Sequence, residues 1–202
     1  MEEGLRIAEL GDIPFDEKEI LRYAMLPSFA PRPEELPLQE CLEAASGAAH
    51  CRAVWRRYPL KRDKGTLDLG FTRTDSKDLR RCLEGCEGIL LFACTAGAEM
   101  DRRIARAKMM SPAKGLLMHA IGAQQVEGAC DRLCGQLSEL FPDCRLTDRY
   151  SPGYGDLPLA VQKDIFVALD CERTIGVTLT ESLLMIPSKS VTAIIGMKEK
   201  KP

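Results

Sequence analysis

The longest periodic run in the chain, Pro112 to Phe141, repeats apolar side chains at the spacing of one helix face. Leu116, Ala120, Ala123, Val126, Cys130, Leu133, Leu137 and Phe141 form the stripe, and Gly115, Gly122, Gly128 and Gly135 interrupt it. Each interior glycine weakens a helix by about 1 kcal/mol relative to alanine. Two outcomes satisfy such a pattern: either the helix breaks, or another backbone packs very close to it. Two polar residues sit oddly on the run. His119 falls inside the stripe, where a hydrogen-bonded core histidine is the simplest reading. Glu127 lies on the margin between Ala123 and Cys130, where an unpaired carboxylate is costly, so it is either a site residue or one half of an ion pair with a nearby arginine.

A helix of this kind needs a sheet or other helices to cover it, and the rest of the chain supplies both. Ile89 to Cys94, ILLFAC, is wholly apolar and reads as a buried central strand. Cys51–Leu60 and Thr66–Phe71 read as two strands joined by the KRDKG turn, and Ile175–Leu179 and Ser190–Met197 as two more. Helical spacing recurs over residues 16–26, 38–49, 76–86, 99–110 and 159–169, with Ser76 as a cap and Ile165, Phe166 and Leu169 facing inward. A proline-rich connection runs from Pro27 to Pro37, and the tail from about Lys198 is charged and expected to fray. With no internal repeat, the expectation is one α+β domain over residues 1–202, a mostly antiparallel twisted sheet flanked by helices.

Composition removes several classes of function. A formal net charge of -2 leaves no basic excess for nucleic acid, and no run reaches the length of a membrane span. The acidic start, MEEGLRIAEL, does not look like a signal peptide, which points to the cytoplasm. Nine cysteines, an odd count in a chain of this kind, argue for reduced thiols over a disulfide framework. Cys82 with Cys86 and Cys130 with Cys134 share helix faces, but no Cys-x-x-Cys knuckle is present. Buried apolar thiols are therefore expected and no metal site, a cysteine-ligated redox protein being the weaker alternative.

The stretch richest in chemistry is RYSPGYGDLP, Arg149 to Pro158, a poor recipe for helix or strand and a good one for an ordered loop. Arg149 offers a charged fork suited to a carboxylate or phosphate, and Tyr154 a flat ring between two glycines. A flat anionic guest suits that pair; a loop arginine that meets only solvent or a helix end is the bland alternative. Thr95-Ala96-Gly97, between the central strand and the next helix, is a second and weaker candidate. No Gly-x-Gly-x-x-Gly follows it, which disfavours a Rossmann-type nucleotide fold.

The loop resembles the Arg-x-x-x-Gly-Tyr signature of the activation domain of cobalamin-dependent methionine synthase, here Arg149, Gly153 and Tyr154, with Pro152 and Pro158 in keeping. A second block, Thr178 to Gly196, is similar to that family's Leu-Thr-Glu-Ser, Met-x-Pro and Ser-Val segment in order and spacing. The resemblance extends from about Ile89 to Gly196. It implies a stand-alone module that binds S-adenosylmethionine and presents it to cobalamin carried by a partner, the cobalamin-binding module of methionine synthase. A flavodoxin or ferredoxin would supply the electron that returns cob(II)alamin to use.

On that resemblance Arg149, Ser151, Pro152, Gly153 and Tyr154 hold the donor, Tyr154 and Glu127 act in catalysis, and Thr180, Glu181 and Ser182 give support. The family's downstream tyrosine pair and N-terminal aspartate find no match in this chain. A histidine of the family pattern is replaced by Leu159 or Ala160. Two alternatives stay open: a non-catalytic module that docks on and caps a corrinoid protein, and an activator of another corrinoid methyltransferase.

Overall fold

The apolar run at Ile89 is buried on both of its faces, and the layers of the molecule follow from that. In the computed structural model, which describes residues 4–25 and 36–200, the chain opens with β1 (Arg6–Glu9), α1 (Glu17–Ala24) and α2 (Leu38–Ala45). β2 (Arg52–Pro59), β3 (Lys61–Asp63), β4 (Thr66–Asp68), β5 (Arg73–Thr74) and α3 (Lys77–Cys82) come next. They lead to β6 (Gly88–Thr95), α4 (Ala98–Met110), α5 (Pro112–Leu140) and β7 (Cys144–Leu146). The chain closes through α6 (Val161–Leu169), α7 (Cys171–Ile175), β8 (Thr178–Leu179), β9 (Met185–Ile186) and β10 (Ser190–Glu199).

The main sheet has the order β1-β2-β6-β10-β7, and every one of its pairings is antiparallel. β6 lies at its centre, with Phe92 opposite Trp55 on one side and Ala193 on the other. Because strand side chains alternate, Leu90, Phe92 and Cys94 enter the core under α1, α2, α4 and α5, while Ile89, Leu91 and Ala93 enter a second core beneath α3, α6 and α7. A strand covered on both faces has no polar positions to offer, which is why ILLFAC reads as a continuous apolar run.

Helix α5 is unbroken, and close packing accounts for Gly115 and Gly128. A Cβ on Gly115 would lie 2.9 Å from the Lys108 Cα, and one on Gly128 would lie 2.6 Å from Ile13 Cγ2. The first lets α4 and α5 meet at their corner, and the second seats the link between β1 and α1. Gln124 and Gln125 hold the same link by donating to the carbonyls of Pro14 and Ile13, each at 3.0 Å. The buried face is turned slightly from the predicted stripe: Leu117, Met118 and Ile121 are inside and Leu116 is 40% exposed. His119 is not a core residue. It lies at the surface, with the Lys189 ammonium 3.2 Å from its ring nitrogens.

Several boundaries differ from expectation. Thr66–Phe71 does not pair with the Cys51–Leu60 strand; Lys61–Asp63 is itself a strand, and it forms a separate small sheet with β4 and β5. Ile175 closes α7, so only Thr178–Leu179 of that predicted strand is extended, paired with Met185–Ile186 in a hairpin. Phe166 is partly and not fully buried. Lys198 and Glu199 continue β10 against Arg145 and Cys144 rather than fraying. The predicted proline-rich connection, up to residue 35, and residues 201–202 of the tail lie outside the described residues. Among the described residues no helix is long and apolar enough to cross a membrane.

Candidate functional site

Tyr150 anchors the Arg149 loop to the sheet. Its amide and carbonyl exchange hydrogen bonds with Ile194 of β10, both at 2.9 Å, next to the strand pairing of β7. Arg149, one residue earlier, turns its side chain to α5. Its Nη2 stands 3.0 Å from Glu127 Oε2 and 3.0 Å from Asp131 Oδ1, two carboxylates one helical turn apart. The guanidinium is thus held by a helix while its backbone is held by the sheet. Nη1 is buried and, among the described residues, has no hydrogen-bond partner.

Beside it opens a groove of about 400 Å³ lined by Glu127, Arg149, Tyr150, Ser151, Tyr154 and Val191. Four of the residues singled out in the sequence, Glu127, Arg149, Ser151 and Tyr154, therefore meet at one place. Pro152 is buried behind them, and Gly153, at a φ of 91°, donates to the Leu157 carbonyl at 2.9 Å. That reversal leaves Tyr154 69% exposed at the tip, an unusual position for so large a ring. Burial first, then the charges of Asp78 and Asp156, push the Tyr150 hydroxyl up from its ordinary pKa, so it stays a donor and bonds the Tyr154 carbonyl at 3.2 Å.

Thr180, Glu181 and Ser182 do not line this groove. They form the tip of the β8–β9 hairpin, where the Thr180 hydroxyl accepts from the Leu184 amide at 2.9 Å and meets Ser182 Oγ at 3.0 Å. The Thr95-Ala96-Gly97 junction spends its amides internally: Gly97 donates to Thr95 Oγ1 at 3.1 Å and Ala96 to the Lys189 carbonyl at 2.9 Å. The nine cysteines are free thiols, and no group of three His, Cys, Asp or Glu side chains among the described residues is arranged to hold a metal. Burial pushes the thiols of Cys51 and Cys134 up to about 11 and that of Cys171 up to about 12. A hydrogen bond with Cys130, followed by burial, raises Cys94 further.

Sequence reasoning missed Asp131 and Asp156. Asp131 reaches Arg149 from four residues beyond Glu127 on the same helix face, a spacing visible in the sequence once Glu127 is chosen. Asp156 acts across the fold on α3, and its only signal was the Ser76 cap.

A family model described as vitamin B12 dependent methionine synthase, activation domain, matches residues 87–201, which is more than half of the chain. The fold is similar to the crystal structure of the MetH reactivation domain bound to AdoHcy, with a TM-score of 0.64 and 16% sequence identity over 98% of this chain and 80% of that one. No curated protein matches the chain in sequence. By its sequence over residues 87–201, the chain belongs to the family of activation domains of vitamin B12-dependent methionine synthase.

Proposed function

We propose that the groove beside Arg149 binds S-adenosylmethionine and presents its methyl group to a cobalamin held by a partner module. The observation that carries this is the state of Arg149. One arm of its fork is fixed by Glu127 and Asp131, Nη1 is buried without a partner among the described residues, and the residue lines an open groove. A buried guanidinium nitrogen without a partner is costly, and a small turn of the fork towards the carboxylate of a methionine moiety in the groove removes that cost. Charge agrees. The two carboxylates outweigh the one guanidinium, leaving a net negative site for a donor that carries one net positive charge. The similar domain of known structure holds AdoHcy, the product such a transfer leaves behind.

The chemistry asks little acid or base of the protein. Reduction of cob(II)alamin by one electron gives a strong nucleophile that takes the methyl group, releasing S-adenosylhomocysteine, and the chain's task is to place the donor and exclude water. Arg149 holds the methionine carboxylate, Glu127 balances the sulfonium, and the backbone from Ser151 to Gly153 borders the adenosyl portion. Tyr154, exposed at the tip, faces the corrin. The electron comes from a flavodoxin or ferredoxin, and the place of action is the cytoplasm. The chain works as one domain.

A docking module that uses no donor is the second reading. It is favoured by the engagement of Arg149 with two carboxylates, which a purely structural ion-pair triad would also explain. Reductive methylation separates the two. The cobalamin-binding module, loaded with cob(II)alamin, is mixed with this chain, a one-electron reductant and S-adenosylmethionine, and its absorbance is followed. Growth of the methylcobalamin spectrum only when chain and donor are both present is the expected result; the same spectrum without the chain contradicts the proposal.

A further inference from the structure

The far limb of the loop carries an aspartate that the donor site leaves without a task. Asp156 does not line the groove beside Arg149. Its carboxylate turns to the start of α3, where it accepts from the Ser76 hydroxyl, from the Lys77 amide at 2.7 Å and from the Asp78 amide at 3.2 Å. The tie is returned, because the Asp78 carboxylate accepts from the Asp156 amide at 3.2 Å. Ser76 meanwhile caps its own helix by accepting from the Leu79 amide at 3.0 Å. Donors converging from Ser76 and Lys77 hold the Asp156 carboxyl below its ordinary range, as expected of an ionised group at a helix start.

Gly155 makes the approach possible. It adopts a φ of 53°, and a Cβ there would collide with the Asp78 carboxylate and lie 2.6 Å from the Tyr150 hydroxyl. Tyr154 is tied on its other side by the bond from Tyr150 to its carbonyl. The Arg149 guanidinium is therefore held by α5 and the limb that follows Tyr154 by α3, with the Tyr150 hydroxyl joining the two sides.

We infer that Asp156 is a positioning residue: by tying the far limb of the loop to α3, it sets where Gly153 and Tyr154 stand relative to the guanidinium of Arg149. This inference rests on the donor reading of the groove and adds to it a residue that touches neither donor nor corrin. An error of about 1 Å in such a placement costs on the order of tenfold to a hundredfold in what the site does.

Two measurements on D156A and D156N test it. Amide exchange comes first: in D156A the amides of Lys77, Asp78 and Leu157 exchange at least about tenfold faster, while those of α5 and β6 keep their protection. Titration comes second. S-adenosylmethionine binds D156A about tenfold more weakly than the unsubstituted chain, and D156N recovers part of the loss because its side-chain oxygen still accepts from the α3 amides. In the double variant D156A/R149A the two losses fall short of their sum, since a displaced tip spoils the contact Arg149 makes; a general loss of stability would leave them additive. Unchanged exchange in D156A and D156N overturns the tie. Faster exchange with unchanged donor affinity, or additive losses, overturns the positioning role. Absence of donor binding to the unsubstituted chain is a separate failure that removes the donor reading, and the positioning role with it, while exchange still judges the tie.

Discussion

Lys189 shows how much a single side chain can cost this fold. It is 6% exposed, it crosses α5 where Gly122 leaves room for its stem, and its ammonium meets the His119 ring at 3.2 Å. Burial first, with Lys108 adding to it and Asp101 opposing, brings its pKa down to about 8 from an ordinary value of 10.5. The unfolded chain therefore binds more protons between those values, so the lysine's penalty is complete below pH 8 and fades as the pH rises towards 10.5. On the order of 3 kcal/mol is involved. Replacing Lys189 with Met should raise the urea midpoint at pH 7, and the advantage should shrink by pH 10; a loss of stability at pH 7 would mean the ammonium is better satisfied than its burial implies. None of this was legible in the sequence, where Lys189 is one charge in a polar stretch. Arg149 and Glu127 were picked out because they stand out locally, an arginine in a proline-glycine loop and a carboxylate on an apolar margin, and the fold brings the two side chains to 3.0 Å beside one groove.

At the scale of elements, α5 answers the question its glycines posed. Gly115 and Gly135 look alike in sequence and are opposites in the fold: a Cβ at Gly115 meets the Lys108 backbone, and one at Gly135 meets nothing within 4 Å among the described residues. Gly135→Ala should stabilise the protein by about 0.5–1 kcal/mol, through helix propensity and the unfolded chain. Gly115→Ala should destabilise it by about 1–3 kcal/mol, because a backbone has no rotamer with which to give way. Chemical denaturation of both variants checks the pair, and equal effects would contradict the close-packing account. Period and composition identified the long helix and the central strand, since α5 buries one face from Gly115 to Leu137 and β6 is buried throughout. They failed at β1, β3, β5, β7, β9 and α7, which have two to five residues each and are fixed by the neighbours they pair with. The separate β3–β4–β5 sheet was misread for the same reason: alternation reveals a strand and not its partner.

Across the whole molecule, the thiols set the response to alkali. Cys51 and Cys134 are raised to about 11 and Cys171 to about 12 from an ordinary 9.0, in each case by burial first, and Cys41, Cys86 and Cys94 are raised as well. A raised folded pKa gives stability that is complete below pH 9 and lost as the pH climbs through the folded values, at about 1.4 kcal/mol per unit. One lysine with the opposite sign cannot offset six thiols, so under reducing conditions the urea midpoint should fall steadily between pH 9 and 11; a flat or rising midpoint would contradict the burial of the thiols. The resemblance read from Ile89 to Gly196 coincides with the family match over residues 87–201, and the preceding part of the chain completes the sheet and the helices around it. The central claim is that this scaffold holds a methyl donor on Arg149. Calorimetric titration of S-adenosylmethionine into the chain and into R149A, with the cobalamin-binding module present, tests it most directly. Binding to the first and an affinity at least about tenfold lower in the second, with an unchanged circular dichroism spectrum, is the predicted result; equal affinities, or no heat from either protein, would contradict it.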